Sequence, residues 1–225
     1  MTTDAAAEFA ELAVRLHGES GVEETVDLVV TYALKAVDAQ HAGVLLVHRR
    51  GPVETAASTD AFVEELDRIQ IECGEGPGVA AMADRSTVRV SDTLRDDRWR
   101  EWARRIAHRG VRSVLTAYMS TGDTVVGTLN LYHSEPNAFD VDDESVASIL
   151  ARHAAVALAS ARQIENLWVA IDARKLIGQA QGMLMERYDL TADQAFSVLV
   201  RHSQQQNLKL RAVAELVVSK RPLPS

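Results

Sequence analysis

The chain has 225 residues, 47% hydrophobic and 25% charged, with a formal net charge of −8. That is the composition of an ordinary soluble protein, with room for one or two domains that each bury a core. The N-terminus MTTDAAAEFAELAVRLHG carries no basic leader region, no apolar run reaches membrane-spanning length, and one cysteine, Cys73, excludes a disulfide framework, a multi-thiolate zinc site and a CxxC redox pair.

The cytoplasm is the expected location. Charge is unevenly spread: residues 1–160 hold 15 Lys and Arg against 26 Asp and Glu, while residues 161–225 hold 9 against 6. An acidic body with a mildly basic tail permits a nucleic-acid partner at the C-terminal end. A basic solvated face without a partner fits the charge nearly as well.

In chain order, residues 4–17 read as a short amphipathic helix carrying Phe9, Leu12, Ala13 and Leu16 and ended by Gly18. A second helix shows Val22, Val26, Val29, Val30, Ala33, Leu34 and Val37 as a broad stripe. Ala42 to Val47 is a continuous apolar run, expected to be a strand buried on both faces. Arg49-Arg50-Gly51-Pro52 turns the chain into a strand over 53–57. Thr59 is the expected cap of a helix with Phe62, Leu66, Ile69 and Gln70.

Gly74-Glu75-Gly76-Pro77-Gly78 is a tight loop opening a short helix to Ala83. Thr87 to Val90 alternates like a strand. Residues 98–108 form a helix with Trp99, Trp102, Ala103 and Ile106, stopped by Gly110. Strands over 114–119 and 125–132 flank Ser120-Thr121-Gly122-Asp123, a glycine-containing hairpin turn. Hairpins interspersed with helices indicate an α+β domain around an antiparallel sheet.

No glycine or proline occurs between Pro136 and Gly178, so one helix is expected over 142–187, about 65 Å long at 1.5 Å per residue. Leu150, Ala154, Ala157, Ala161, Ile164, Trp168 and Ile171 repeat at 4-3 spacing, as in a coiled-coil seam. Of these, Ala157, Ala161, Ile164, Trp168 and Ile171 are the candidate dimer contacts. Beyond the helix, Thr191-Ala192-Asp193-Gln194 is a capping box, followed by Ala195, Phe196, Leu199 and Val200 on one side. Gln204-Gln205-Gln206 lies in the connection to a last helix, capped by Asn207, with Leu210, Val213, Ala214 and Val217 inward. Pro222 and Pro224 end the chain.

Two resemblances cover most of this sequence. Gly74-Glu75-Gly76-Pro77, Asp92, Arg98-Trp99, Gly110-Val111-Arg112-Ser113, Gly127-Thr128-Leu129-Asn130-Leu131 and Phe139 together resemble a GAF domain over residues 8–162. Arg174-Lys175-Leu176-Ile177-Gly178-Gln179-Ala180-Gln181-Gly182-Met183-Leu184-Met185, then Leu190 to Phe196 and Asn207 to Ala214, resemble an ANTAR domain over 167–218. The implied division is a GAF sensor at 1–162 and an ANTAR bundle at 163–225. The implied function is RNA-binding transcription antitermination by a dimer acting on paired stem-loops, with a GAF domain that either takes a small-molecule effector, which no residue here selects, or serves only as a dimerisation scaffold.

Read as chemistry, Ile177, Ala180, Leu184 and Tyr188 should face the bundle, while Lys175, Gln179, Gly182 and Glu186 form another stripe. Gly182 in mid-helix costs about 1 kcal/mol relative to Ala, so either an RNA loop or a neighbouring helix comes close there. Arg174, Lys175, Arg201, Lys209 and Arg211 are candidate phosphate contacts, and Gln179 a candidate reader of an open base edge. For any one of these charges a plain solvated residue is the competing reading. There is no aromatic ladder of the kind seen on stacking platforms.

Other constellations lead nowhere. Pro77 removes an amide donor and no Lys-Ser/Thr follows, which argues against a phosphate loop. The seven histidines lack metal-ligand spacing, so no metal is expected. Cys73 reads as a small packed residue, with redox sensing the lesser reading. No catalytic set is visible, and the chain is expected not to be an enzyme. The rival reading is a dimeric protein-interaction module that binds no RNA.

Overall fold

The computed structural model describes residues 11, 12, 14–16, 18, 21–48 and 53–219. Most of the expected first helix lies outside these residues, Phe9 and Ala13 included. So do the Arg49-Arg50-Gly51-Pro52 turn, Pro222 and Pro224. The described residues of that first segment are helical, Gly18 among them, and Leu12 and Leu16 are buried.

The elements are α1 (Val22–Ala36), β1 (His41–Val47), β2 (Val53–Ser58), α2 (Ala61–Cys73), α3 (Pro77–Asp84), β3 (Val88–Val90), α4 (Arg100–Ala107), β4 (Ser113–Thr121), β5 (Thr124–His133), α5 (Val141–Tyr188), α6 (Ala192–Gln205) and α7 (Leu210–Val218). The five strands make one sheet in the order β2-β1-β5-β4-β3, with every pairing antiparallel. The chain divides into two compact units, Met1–Gln163 and Ile164–Ser225, and the division falls within α5.

In the first unit the strand alternation sorts side chains onto two faces. Leu115, Ala117 and Met119 of β4 and Leu129 and Leu131 of β5 join α1 and the start of α5 in the larger core. Ala147, Ala151, Ala154, Ala155 and Ala157 supply much of the α5 side, and such small residues let helix and sheet approach closely. On the opposite face, Val114 and Tyr132 meet Val63, Leu66 and Ile69 of α2 and Trp102, Ala103 and Ile106 of α4. Each fully buried Leu or Ile of this kind contributes about 1.5–3 kcal/mol.

Helix ends depart from expectation in instructive ways. Asp60, not Thr59, caps α2: its carboxylate accepts from the Phe62 and Val63 amides, while Thr59 Oγ1 accepts from the Ala42 amide. Aspartate next to threonine offers the stronger, charged acceptor to the same orphan amides. Asp140 caps α5 by accepting from the Asp142 and Asp143 amides, and the Asp143 carboxylate accepts from the Asp140 amide in return.

In the second unit, Ala180 and Leu184 of α5, Ala195 and Leu199 of α6, and Val213, Ala214 and Val217 of α7 form the core. The Thr191–Gln194 capping box is present in both directions. Tyr188, the last residue of α5, and Phe196, beside the buried Ala195 at the margin of the apolar stripe, are instead 60% and 42% exposed. Asn207 does not cap α7. It takes a left-handed conformation (φ 51°) after α6, a role asparagine shares with glycine. Lys209 holds the cap position, without a side-chain cap bond.

Candidate nucleic-acid interface

The outer face of α5 in the second unit is built from what the core leaves over. Leu176, Ile177, Ala180, Met183 and Leu184 turn toward α6 and α7, so Arg174, Lys175, Gln179 and Gly182 are all exposed. Lys175, Gln179 and Gly182, four and three residues apart, share one stripe. A Cβ added to Gly182 meets no described atom within 4 Å beyond the backbone of its own helix, and the same holds for Gly178 one turn earlier. Close packing against another helix among the described residues therefore does not explain Gly182. What the two glycines do is bare the helix backbone beside Lys175 and Gln179.

The remaining cations lie on the other helices. Arg201 is exposed on α6 and Lys209 is exposed at the start of α7. Arg211 is exposed on α7 with its guanidinium 3.8 Å from Glu215, a contact that offsets part of its charge. Arg162, numbered with the basic tail, belongs to the first unit and donates to the Val47 carbonyl at 3.2 Å. Residues 164–225 thus hold 8 Lys and Arg against 6 Asp and Glu. The surplus is slight, and Glu186 shares the Lys175 stripe. The composition alone did not reveal Tyr188 and Phe196, whose exposed rings offer faces on which unpaired bases can stack.

The expected dimer seam needs correction in its first half. Ala157 and Ala161 are buried by the chain itself, Ala157 within the core of the first unit, so neither is available to a second copy. Ile164, Trp168 and Ile171 are 37%, 62% and 52% exposed, with Leu167 beside them at 56%. Upstream, the outward residues are Ile149 and Val156, one position off the expected register. The sheet claims the alanine stripe because only small side chains let it approach, which turns the neighbouring stripe outward.

The motif residues of the first unit serve its own architecture. Gly74 (φ 64°) ends α2, Gly76 (φ 136°) and Pro77 start α3, and the Glu75 carboxylate between them accepts from the Glu101 and Trp102 amides at the start of α4. Arg112 binds Asp92 through two hydrogen bonds of 3.0 Å and holds that carboxyl below its ordinary range. Gly127 passes so close to the Leu45 carbonyl that no Cβ fits. Cys73 is partly buried and its Sγ accepts from Arg105 at 3.3 Å.

One buried ionisable group stands out. Asp67 of α2 is fully covered and accepts from Tyr132 OH at 2.8 Å, Thr55 Oγ1 at 3.1 Å and Asn130 Nδ2 at 3.2 Å. Burial pushes its carboxyl up to about 6 despite those bonds. No group of three His, Cys, Asp or Glu among the described residues is placed to hold a metal, and none of the helices there is long and apolar enough to cross a membrane.

A GAF domain model matches residues 19–159 and an ANTAR domain model matches residues 165–218. Among solved structures, the GAF domain of an Acinetobacter phosphoenolpyruvate-protein phosphotransferase is similar at 14% identity and TM-score 0.57, over 72% of this chain and 97% of that one. The free methionine-R-sulfoxide reductase of Neisseria meningitidis, solved with its substrate, matches at 18% identity and TM-score 0.56, over 72% and 95%. A domain of a two-component sensor histidine kinase protein from Sinorhizobium meliloti matches at 17% identity and TM-score 0.53, over 64% and 94%. At these identities the likeness is one of fold. No curated protein matches the chain.

Proposed function

Because the chain belongs to the GAF domain family and carries an ANTAR domain after it, we propose that it is a signal-responsive RNA-binding regulator, a transcription antiterminator of the cytoplasm. The ANTAR bundle binds paired stem-loops in nascent RNA, and the GAF domain governs that binding as a small-molecule effector comes and goes. The observation that carries the reading is the exposed, glycine-bared stripe of α5, with Lys175 and Gln179 beside it. It supports close approach of an RNA loop, because no neighbour among the described residues needs the space beside these glycines.

Two copies act together. Ile164, Leu167, Trp168 and Ile171 gain cover when α5 pairs with its twin, and pairing presents two bundles to two stem-loops. The signal passes along α5, the element both units share. The proposed role is regulatory, and a reduction that ends in a disulfide within the chain is closed to it, because Cys73 is its one cysteine.

The test is binding of the purified full-length protein to a dual stem-loop RNA and to a scrambled RNA of equal length at fixed salt, with effector supplied. Clear preference for the dual stem-loop is expected; equal affinity would overturn the reading. A protein-interaction module is the rival, favoured by the exposed Phe196, Tyr188 and Leu208. Changing Lys175 and Arg201 to Ala separates the two, since only RNA binding should weaken while the dimer persists.

A further inference from the structure

Asp67 is a carboxyl group buried without a cation. It accepts from Tyr132 OH, Asn130 Nδ2 and Thr55 Oγ1, so this one side chain fastens α2 to β5 inside the sheet and to β2 at its edge. β1, which runs between those strands, makes room for it. A Cβ on Gly43 would strike Val63 and stand 3.4 Å from the Asp67 carboxylate. Among the described residues no Lys, Arg or His is buried. A charge held at depth by neutral donors alone is costly to keep.

The ionisable groups on the elements packed around α2 are engaged elsewhere. His41 of β1 pairs with Asp60, and Glu54 of β2 with His48. On α4, Arg100 pairs with Asp97, Arg104 with Glu101 and Arg105 with Glu72. α3 contributes only Asp84, and β5 only Tyr132 and His133, whose Nδ1 accepts from the Glu135 amide. On α2 itself Arg68 lies between Glu65 and Glu72, and Glu64 repels a charge on Asp67. Burial and the neighbouring Asp67 push the Tyr132 hydroxyl far up, so it stays a donor.

The network around Asp67 is incomplete in a specific way. Asn130 gives Nδ2 to the carboxylate, and its buried Oδ1 has no donor. Directly across on β4, the buried Thr116 Oγ1 has no partner either. Side chains opposed in this way stand about 5 Å apart at Cβ. The arrangement suits an ionised Asp67, which can only accept. A protonated Asp67 can donate, and the amide carbonyl then belongs against it in place of the amide N–H. Turning the Asn130 amide over makes that exchange and frees Nδ2 for Thr116.

We propose that the first unit contains a proton-operated latch: Asp67 takes a proton from solvent and donates it to Asn130 Oδ1, the Asn130 amide turns over to donate to Thr116 Oγ1, and α2 locks onto the sheet. Loss of the proton restores the buried charge and the two unpartnered atoms, each of which costs about 1–3 kcal/mol. The latch adds acidity as an input to the first unit. It goes beyond the RNA-binding reading and does not depend on it.

The test uses the full-length protein without RNA. Exchange of the α2 backbone amides is followed at pH 5 and pH 7, corrected for intrinsic rates, together with the NMR signal of the Asn130 side-chain amide. Asp67 titrates at about 6 when covered and near 3.8 when exposed, so α2 should open about tenfold more often at pH 7 than at pH 5. The Asn130 signal should move with the same midpoint. In Asp67→Asn the ratio of opening falls to about one. Thr116→Val removes the new acceptor, so it should lower the ratio and leave opening at pH 7 unchanged. Equal opening of wild type at both pH values, an Asn130 signal that stays fixed, a ratio that persists in Asp67→Asn, or an undiminished ratio in Thr116→Val would each overturn the proposal. The two wild-type measurements decide it even where a variant fails to fold.

Discussion

Asp67 shows how one residue ties pH to stability. Its carboxyl titrates at about 6 in the folded chain against an ordinary 3.8, mainly because burial opposes the charge. Between those values the folded state binds more protons than the unfolded one. Its contribution therefore favours folding at acid pH and is lost as pH rises through about 6. The gap corresponds to about 3 kcal/mol. Asp67→Asn keeps an acceptor for Tyr132 OH and should flatten the pH dependence of urea unfolding between about pH 4 and 7, raising stability at pH 8. A slope unchanged from wild type would place the titration elsewhere. At Gly182 the expectation has two opposed halves. Gly182→Ala stabilises α5 by about 1 kcal/mol, since the new Cβ meets nothing, yet weakens RNA binding by about tenfold, or about 1.4 kcal/mol, by keeping the loop off the backbone. Melting curves and filter binding on the same variant read both.

Among elements, α5 is the one whose face changes function along its length. Its first half lies on the sheet through alanines, and its second half carries Ile164, Leu167, Trp168 and Ile171 outward. Light scattering should show a dimer that Trp168→Ser with Ile171→Ser converts to monomer; a dimer that survives both changes would refute this seam. Thr191→Ala removes the α6 capping box and should cost about 1 kcal/mol in chemical unfolding. The same helices show where sequence patterns suffice and where they stop. Continuous apolar β1, the hairpin at Gly122 and the Thr191 box are local, so spacing and turn chemistry disclose them. The 4-3 repeat through Ala154, Ala157 and Ala161 discloses burial but not the burying partner, because a sheet and a second helix accept the same small residues. Unpartnered polar side chains are less legible still: Thr116, Tyr118, Thr128 and Asn130 look like ordinary alternating strand residues until β4 and β5 pair and set Thr116 opposite Asn130 and Tyr118 opposite Thr128.

For the molecule as a whole, the proposed role calls for two weak readers rather than one strong one. Residues 164–225 hold nearly balanced charge, 8 basic against 6 acidic, so phosphate attraction per bundle is modest. Cutting a dual stem-loop into two separate hairpins should lower apparent affinity by about a hundredfold or more. Equal affinity for the joined and the separated hairpins would overturn paired action.

The apolar collar around Trp168 has a consequence for the cell. If only another copy of the chain can shelter it, the fraction of competent molecules depends on how many have been made. Abundance then becomes an input in its own right: a gene expressed too weakly would yield unpaired chains that fail to answer the proposed signal, however strong it is.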